Sequence, residues 1–239
     1  MTVHPTHEEV TRLVRDFFGS ETGFFVEVGA NHPTEHSQSW HLEQIGWAGV
    51  LIEPQPHLAA FLVSARKAKV FAVACTSPEQ AGPPVLLYVD GPRSGLEPKR
   101  MANTAVVTGT ILVPTRTLDS ILEEAEAPVP IDLLSVDVEG HEPEVLQGFD
   151  FARWQPRLIL VEDHVSSLRT HRELKAAGYR LIRRLEFNGW YVPADSPIYP
   201  TLRERCEFAR KYYLALPFRK LRNALRRFGR MLRRSAVDR

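Results

Sequence analysis

Apolar runs of strand length alternate along this chain with stretches whose apolar residues recur every three or four positions. Residues 8–18 carry Val10, Leu13, Val14, Phe17 and Phe18 at helical spacing and stop at Gly19, which predicts an N-terminal helix. The run at 24–28 halts at Gly29-Ala30-Asn31, and a second run at 49–52 ends in Glu53. Helices are expected over 39–45 and 56–68, and a third strand over 69–75. Residues 83–90 and 110–114 read as short extended segments around a polar Gly/Pro/Arg loop, and 117–126 returns to helix. A strand over 131–136 ends at Asp137, a short helix follows over 144–149, and a strand over 158–161 ends at Glu162-Asp163-His164. A helix over 171–177 is stopped by Gly178. Residues 179–186 and 191–192 then form an antiparallel hairpin, with Asn188-Gly189 as its tight turn. Such alternation predicts an α/β fold: a mainly parallel, Rossmann-like sheet with helices on both faces and a C-terminal antiparallel hairpin.

Composition narrows the class. With 239 residues, 44% of them hydrophobic, the chain can bury one substantial core, expected over 1–200. Cys75 and Cys206 are too few for a disulfide framework or a zinc site and suit a reducing compartment. The first residues hold no apolar signal region, and no run reaches the ~18 apolar residues of a membrane span, so a cytoplasmic location is expected. The net charge of +1 hides an asymmetry: residues 203–239 hold 13 Lys and Arg against three acidic residues, a net +10, and the remainder is −9. Within the tail, 201–239, Pro217 stands where a helix could start, and Phe218, Leu221, Leu225, Phe228 and Leu232 recur at intervals of three and four among arginines. This basic amphipathic helix has three candidate partners: an anionic membrane surface reached through 217–239, the acidic body or a second subunit in a homo-oligomer, and nucleic acid. The last is disfavoured because an apolar stripe is superfluous for phosphate binding.

The candidate chemistry sits at the strand ends. Glu53, closing the second strand with Pro54 behind it, stands where an acidic residue receives a ribose diol. The first turn, Glu27-Val28-Gly29-Ala30-Asn31-His32-Pro33, lacks the three glycines of a pyrophosphate fingerprint, and Pro33 removes a backbone donor. A ribose carboxylate without a phosphate cradle suits S-adenosylmethionine better than a nicotinamide dinucleotide. Ligands bind beyond the carboxyl ends of strands in such sheets, which gathers Glu27, Gly29, Ala30, Asn31, Glu53, Asp137, Glu139, His141, Glu162, Asp163 and His164 at one rim. So dense an acid cluster needs a cation, whether a sulfonium, a divalent metal or a protonated histidine.

The ordered series Val26-Glu27-Val28-Gly29-Ala30-Asn31, Gly49-Val50-Leu51-Ile52-Glu53-Pro54, Arg116-Thr117-Leu118-Asp119-Ser120, Asp137-Val138-Glu139-Gly140-His141-Glu142 with Val145-Leu146-Gln147-Gly148, and Leu160-Val161-Glu162-Asp163-His164 resembles the FkbM family of S-adenosylmethionine-dependent methyltransferases. The resemblance spans roughly 20–195 and implies a class I methyltransferase sheet. It also implies O-methylation of a hydroxyl on a sugar, a glycolipid or a secondary metabolite, so a small-molecule, glycan or lipid-linked acceptor is expected. Two departures stand out: Glu27 and His32-Pro33 in the first turn, and Ser94-Gly95-Leu96 where the family has Ser-Ser-Leu. Cofactor contacts are expected from Glu27, Gly29, Ala30, Asn31, Glu53, Pro54 and Asp137. His141 and His164 are the candidate bases, since an imidazole titrates near neutral pH. Asp137, Glu162 and Asp163 offer hard oxygens to a divalent cation such as Mg²⁺.

Overall fold

The computed structural model describes residues 7–19, 21–91, 93–97, 107–163, 168–185, 187–219 and 221–222. In chain order the elements are α1 (His7–Phe18), β1 (Phe24–Val28), α2 (Trp40–Glu43), β2 (Ala48–Ile52), α3 (Pro56–Ala65), β3 (Lys69–Phe71), β4 (Ala74–Cys75), β5 (Val85–Val89), β6 (Gly109–Val113), β7 (Thr115–Arg116), α4 (Leu118–Ala125), β8 (Leu133–Val136), α5 (Glu142–Gln147), α6 (Phe151–Trp154), β9 (Leu158–Glu162), α7 (Arg169–Ala176), β10 (Tyr179–Leu185), β11 (Asn188–Pro193) and α8 (Leu202–Phe208), continued by a π-helical segment, Ala209–Leu214.

Seven strands form one sheet in the order β10-β11-β9-β8-β1-β2-β3. Every pair from β9 to β3 is parallel, and β11 runs antiparallel to both β9 and β10. Because successive strand residues point to opposite faces, each continuous apolar run feeds two cores. Val26, Val28, Val50, Ile52, Leu134, Val136, Ile159 and Val161 pack with Leu118, Ile121, Leu122 and Trp154 on one side. Phe25, Leu51, Leu133, Leu158 and Leu160 pack with Val10, Val14 and Phe18 of α1 and with Leu42 and Leu62 on the other.

Two expectations about elements are corrected. The strand expected over 69–75 breaks: β3 stays in the main sheet, whereas β4 leaves it to pair with β7, its Ala74 N–H donating to the carbonyl of Pro114 at 2.9 Å. Asn188 and Gly189 are strand residues, paired with Leu185 and Arg184, rather than the hairpin turn. A further helix, α8, begins at Leu202, ahead of the one whose first turn holds Pro217. Thr201 accepts from the Glu204 amide while the Glu204 carboxylate accepts from the Thr201 amide, a capping box written in the sequence as Thr-x-x-Glu. Helix resumes at 216–219 and 221–222, and the remainder of the expected amphipathic helix lies outside the described residues. Among the described residues no helix is long and apolar enough to cross a membrane.

Candidate active site

Beyond the carboxyl ends of β1, β2, β8 and β9, where the crossovers on the two sides of β1 diverge, lies a cavity of about 550 Å³. That is the place an open α/β sheet offers a ligand, and the volume is in the ~300–1,000 Å³ range of small-molecule sites. Glu27, Gly29, Ala30, Asn31, Glu53, Pro54, Asp137, His141 and Glu162 all line it.

The Gly29-Ala30-Asn31 turn and the acidic end of β2 are tied together by backbone. The amides of Gly29 and Ala30 both donate to the carbonyl of Ile52, at 2.9 and 3.1 Å. Asn31, in the left-handed region at φ 49°, turns its amide onto Glu53 Oε2 at 2.9 Å, and the Gln55 amide donates to Glu53 Oε1 at 2.9 Å. Burial raises the Glu53 carboxyl, and the two amides oppose the rise. Each oxygen keeps acceptor capacity, so Glu53 is a fixed, nearly buried acceptor pair at the cavity wall. Gly29 is also required sterically where β1 meets β8. A Cβ there, at φ +84°, would lie 1.8 Å from the carbonyl oxygen of Asp137. The neighbouring strand end therefore leaves no room for a side chain at this position.

Glu27 lines the cavity, but its carboxylate serves the loop that follows β1. It accepts from Ser37 Oγ at 2.9 Å, from the Gln38 amide at 2.8 Å and from Ser39 Oγ. Arg66 closes the arrangement from behind. Its guanidinium reaches the Pro33 carbonyl at 2.8 Å, Ser37 Oγ at 3.2 Å, Ser39 Oγ at 3.0 Å and the Glu43 carboxylate at 3.3 Å. Sequence reading missed Arg66, because a lone arginine at the end of an apolar helix carries no local signal that it is buried.

The acid cluster differs from the expected one. Asp137, Glu139 and Glu162 bring carboxylate oxygens within 4.8 Å of one another, and Asp163 is not among them. Asp163 turns away into a buried pocket, where its carbonyl accepts from Arg184 Nη2 and its Oδ2 lies 3.9 Å from Arg184 Nη1. Within the cluster, burial first and then the Asp137 charge push the Glu139 carboxyl up to about 7. Burial, the charges of Asp137 and Glu139 and a hydrogen bond to Asp137 raise Glu162 well above the carboxylate range. Like charges this close cannot all ionise, so the cluster keeps protons at neutral pH. Glu139 also sits at φ 53°, a conformation that costs a non-glycine residue energy and that clusters at functional sites.

His141 is buried at the start of α5, its Nε2 3.0 Å from Thr76 Oγ1 and its Nδ1 3.6 Å from Glu144 Oε2. Taking a proton from a substrate would displace one of these contacts. His164 lies outside the described residues. Further cavity walls come from Ser94, Gly95 and Leu96 after β5 and from Phe187 and Asn188 of the hairpin. They are far apart in the chain, and only tertiary structure joins them.

Next to the cluster, Glu142 accepts from the amides of Gly140 at 2.9 Å and Val138 at 3.4 Å, and burial pushes its carboxyl up to about 8. Native Glu142 therefore holds a proton that the unfolded chain releases near pH 4.5, and stability falls as pH rises from there through about 8. Glu142→Gln keeps the acceptor and removes the titration. Its melting temperature is expected to gain on that of the wild type between about pH 5 and 8, and parallel curves would refute the assignment.

Residues 27–181 match the methyltransferase FkbM domain, and the chain belongs to this family of methyltransferases. No curated protein matches the chain. Among solved structures, the chain is similar to a methyltransferase FkbM from Methylobacillus flagellatus KT, with 13% identity over 72% of this chain and a TM-score of 0.46, and it spans 43% of that protein. It is also similar to a precorrin-6y C5,15-methyltransferase from Geobacter metallireducens GS-15, with 11% identity over 77% of this chain and 87% of that one and a TM-score of 0.42. The N-terminal domain of human METTL16, solved in complex with SAH, is 14% identical over 80% of this chain and 71% of its own, with a TM-score of 0.43. TM-scores below 0.5 leave the family match to carry the assignment.

Proposed function

We propose that the protein is an S-adenosylmethionine-dependent O-methyltransferase acting on a hydroxyl of a sugar, a glycolipid or a secondary metabolite. The observation that carries the reading is Glu53: a buried carboxylate, anchored by the Asn31 and Gln55 amides, at the wall of a ligand-sized cavity beyond the switch point of a methyltransferase-family sheet. The residues fit the cofactor. Glu53 would receive its ribose hydroxyls, and the backbone of Gly29 to Asn31 with Pro54 would flank it, while the anionic side of the rim suits a sulfonium. When bound, S-adenosylmethionine supplies an electrophilic methyl group. What remains for the protein is to hold the acceptor oxygen in line and take its proton. Glu139, with its carboxyl near 7 at the cavity edge, is the best-placed acceptor of that proton. His141, and His164 at the end of the same rim in sequence, are the alternative bases, which His141→Ala and His164→Ala test beside it.

Glu53→Ala is expected to weaken S-adenosylmethionine and S-adenosylhomocysteine binding by about 10- to 100-fold, the worth of ~1.5–3 kcal/mol for hydrogen bonds to a charged group. Calorimetry that finds the same affinity in the variant would remove Glu53 from the site. Incubation of extracts with labelled methyl donor, read as product carrying one added methyl, would identify the acceptor.

A divalent cation such as Mg²⁺ is a second reading of the acid cluster, with Glu139 in the place once expected of Asp163. Three hard oxygens suit it, and it would position a vicinal diol. On the proton reading, dialysis against EDTA is expected to leave the transfer rate unchanged; a loss restored by Mg²⁺ would favour the cation.

A further inference from the structure

We infer that the C-terminal helical segment is a docking face for an anionic lipid bilayer, anchored to the edge of the methyltransferase sheet. The segment lies beyond residues 27–181, the part that matches the family. One set of its side chains anchors it. Tyr212 is 1% exposed, and its hydroxyl accepts from Arg184 Nη1 at 3.0 Å; Leu216 is 7% exposed; and Glu204 pairs with Arg183 at 3.1 Å. Arg184 in turn holds Asp163 at the end of β9, so the anchor reaches the strand end beside Glu162. Other residues of the segment face solvent: Leu214 is 69% exposed, Phe218 75% and Leu221 61%.

Three large apolar side chains left in water on an element already anchored through other residues are unspent contact surface. Their surroundings say what would cover them. Arg210 and Arg222 are exposed near them in the chain, while Lys211 pairs with Glu207 and Arg219 donates to the Lys211 carbonyl. In sequence the same spacing continues through Leu225, Phe228 and Leu232 among Arg226, Arg227, Arg230, Arg233 and Arg234. Apolar side chains that can sink to the acyl boundary, flanked by arginines that meet anionic headgroups, form the pattern of an interfacial helix. Residues 203–239 by themselves carry a net +10, a local charge that favours an anionic surface.

Flotation of the full chain with vesicles decides it. With phosphatidylcholine vesicles containing about 30 mol% phosphatidylserine at low salt, the protein is expected to float. With phosphatidylcholine alone it is expected to stay behind, and high salt should release it, since the charge attraction is screened. The triple variant Leu214→Ser, Phe218→Ser, Leu221→Ser removes only exposed apolar surface, so its melting temperature should match the wild type while its vesicle-bound fraction falls about tenfold or more. Failure of the full chain to float with the anionic vesicles would overturn the inference, as would a triple variant that floats as well as the wild type. So would a dimer, seen by light scattering, that the triple variant dissolves while neither protein floats; that result would give the face to a second copy of the chain.

Discussion

Glu139→Gln is expected to lower the rate of methyl transfer about 100-fold or more, the lower range of what a positioned general base contributes, while S-adenosylhomocysteine affinity changes little. The amide keeps the shape of the carboxylate and cannot take a proton. The wild-type group is suited to the task because burial and the neighbouring Asp137 charge set its carboxyl near 7, leaving a large fraction ionised at neutral pH while keeping it basic enough to act. The pH–rate profile carries the same information. The wild-type rate should rise with pH through about 7 as Glu139 ionises, and the variant should lose that rise along with the rate. A structural role alone would lower stability or cofactor binding and leave the shape of the profile intact. Full activity in the variant would move proton removal to His141, His164 or Asp137.

Gly29→Ala is expected to prevent folding or to lower stability by more than the ~4–5 kcal/mol that marks an exceptional substitution. The added methyl would stand 1.8 Å from the carbonyl oxygen of Asp137, and the backbone at φ +84° is strained for any residue with a Cβ. The clash is with backbone at the junction of two largely buried parallel strands, so no side-chain rotation relieves it. A loss of that size is a large share of the ~5–15 kcal/mol by which domains are stable, and it should appear as insoluble expression or a sharply lowered urea midpoint. Gly109→Ala is the control, because a Cβ there meets nothing within 4 Å. A Gly29→Ala protein with the wild-type midpoint would show that the ends of β1 and β8 do not interlock as described.

The failures of sequence reading are as instructive as its successes. The strands were legible because each central run is buried on both faces and so is mostly apolar, broken only by buried polar residues such as Glu27 and Ser135. The break between β3 and β4 was not, since Ala74 and Cys75 leave the sheet for a partner, β7, some forty residues on, and nothing in the apolar run from 69 to 75 marks the departure. The capping box at Thr201 and Glu204 was present in the sequence, but the basic, amphipathic pattern from Pro217 onward drew attention away from the additional helix that it starts.

The chain by itself determined the order of strands and helices, the rim at which its acidic and glycine motifs converge, and the family, because burial periodicity and short motifs are local properties of sequence. Only the tertiary structure decided which member of each motif does what. Glu162 and Asp163 are adjacent in sequence, yet neighbouring positions at a strand end point to opposite sides. One joins Asp137 and Glu139 at the cavity, and the other is taken by Arg184 and Tyr212 from the C-terminal segment. Gly29 serves the Asp137 backbone, and Glu27 serves a loop that the distant Arg66 braces, for the same reason: a side chain's partner is set by what long-range packing brings within reach of it.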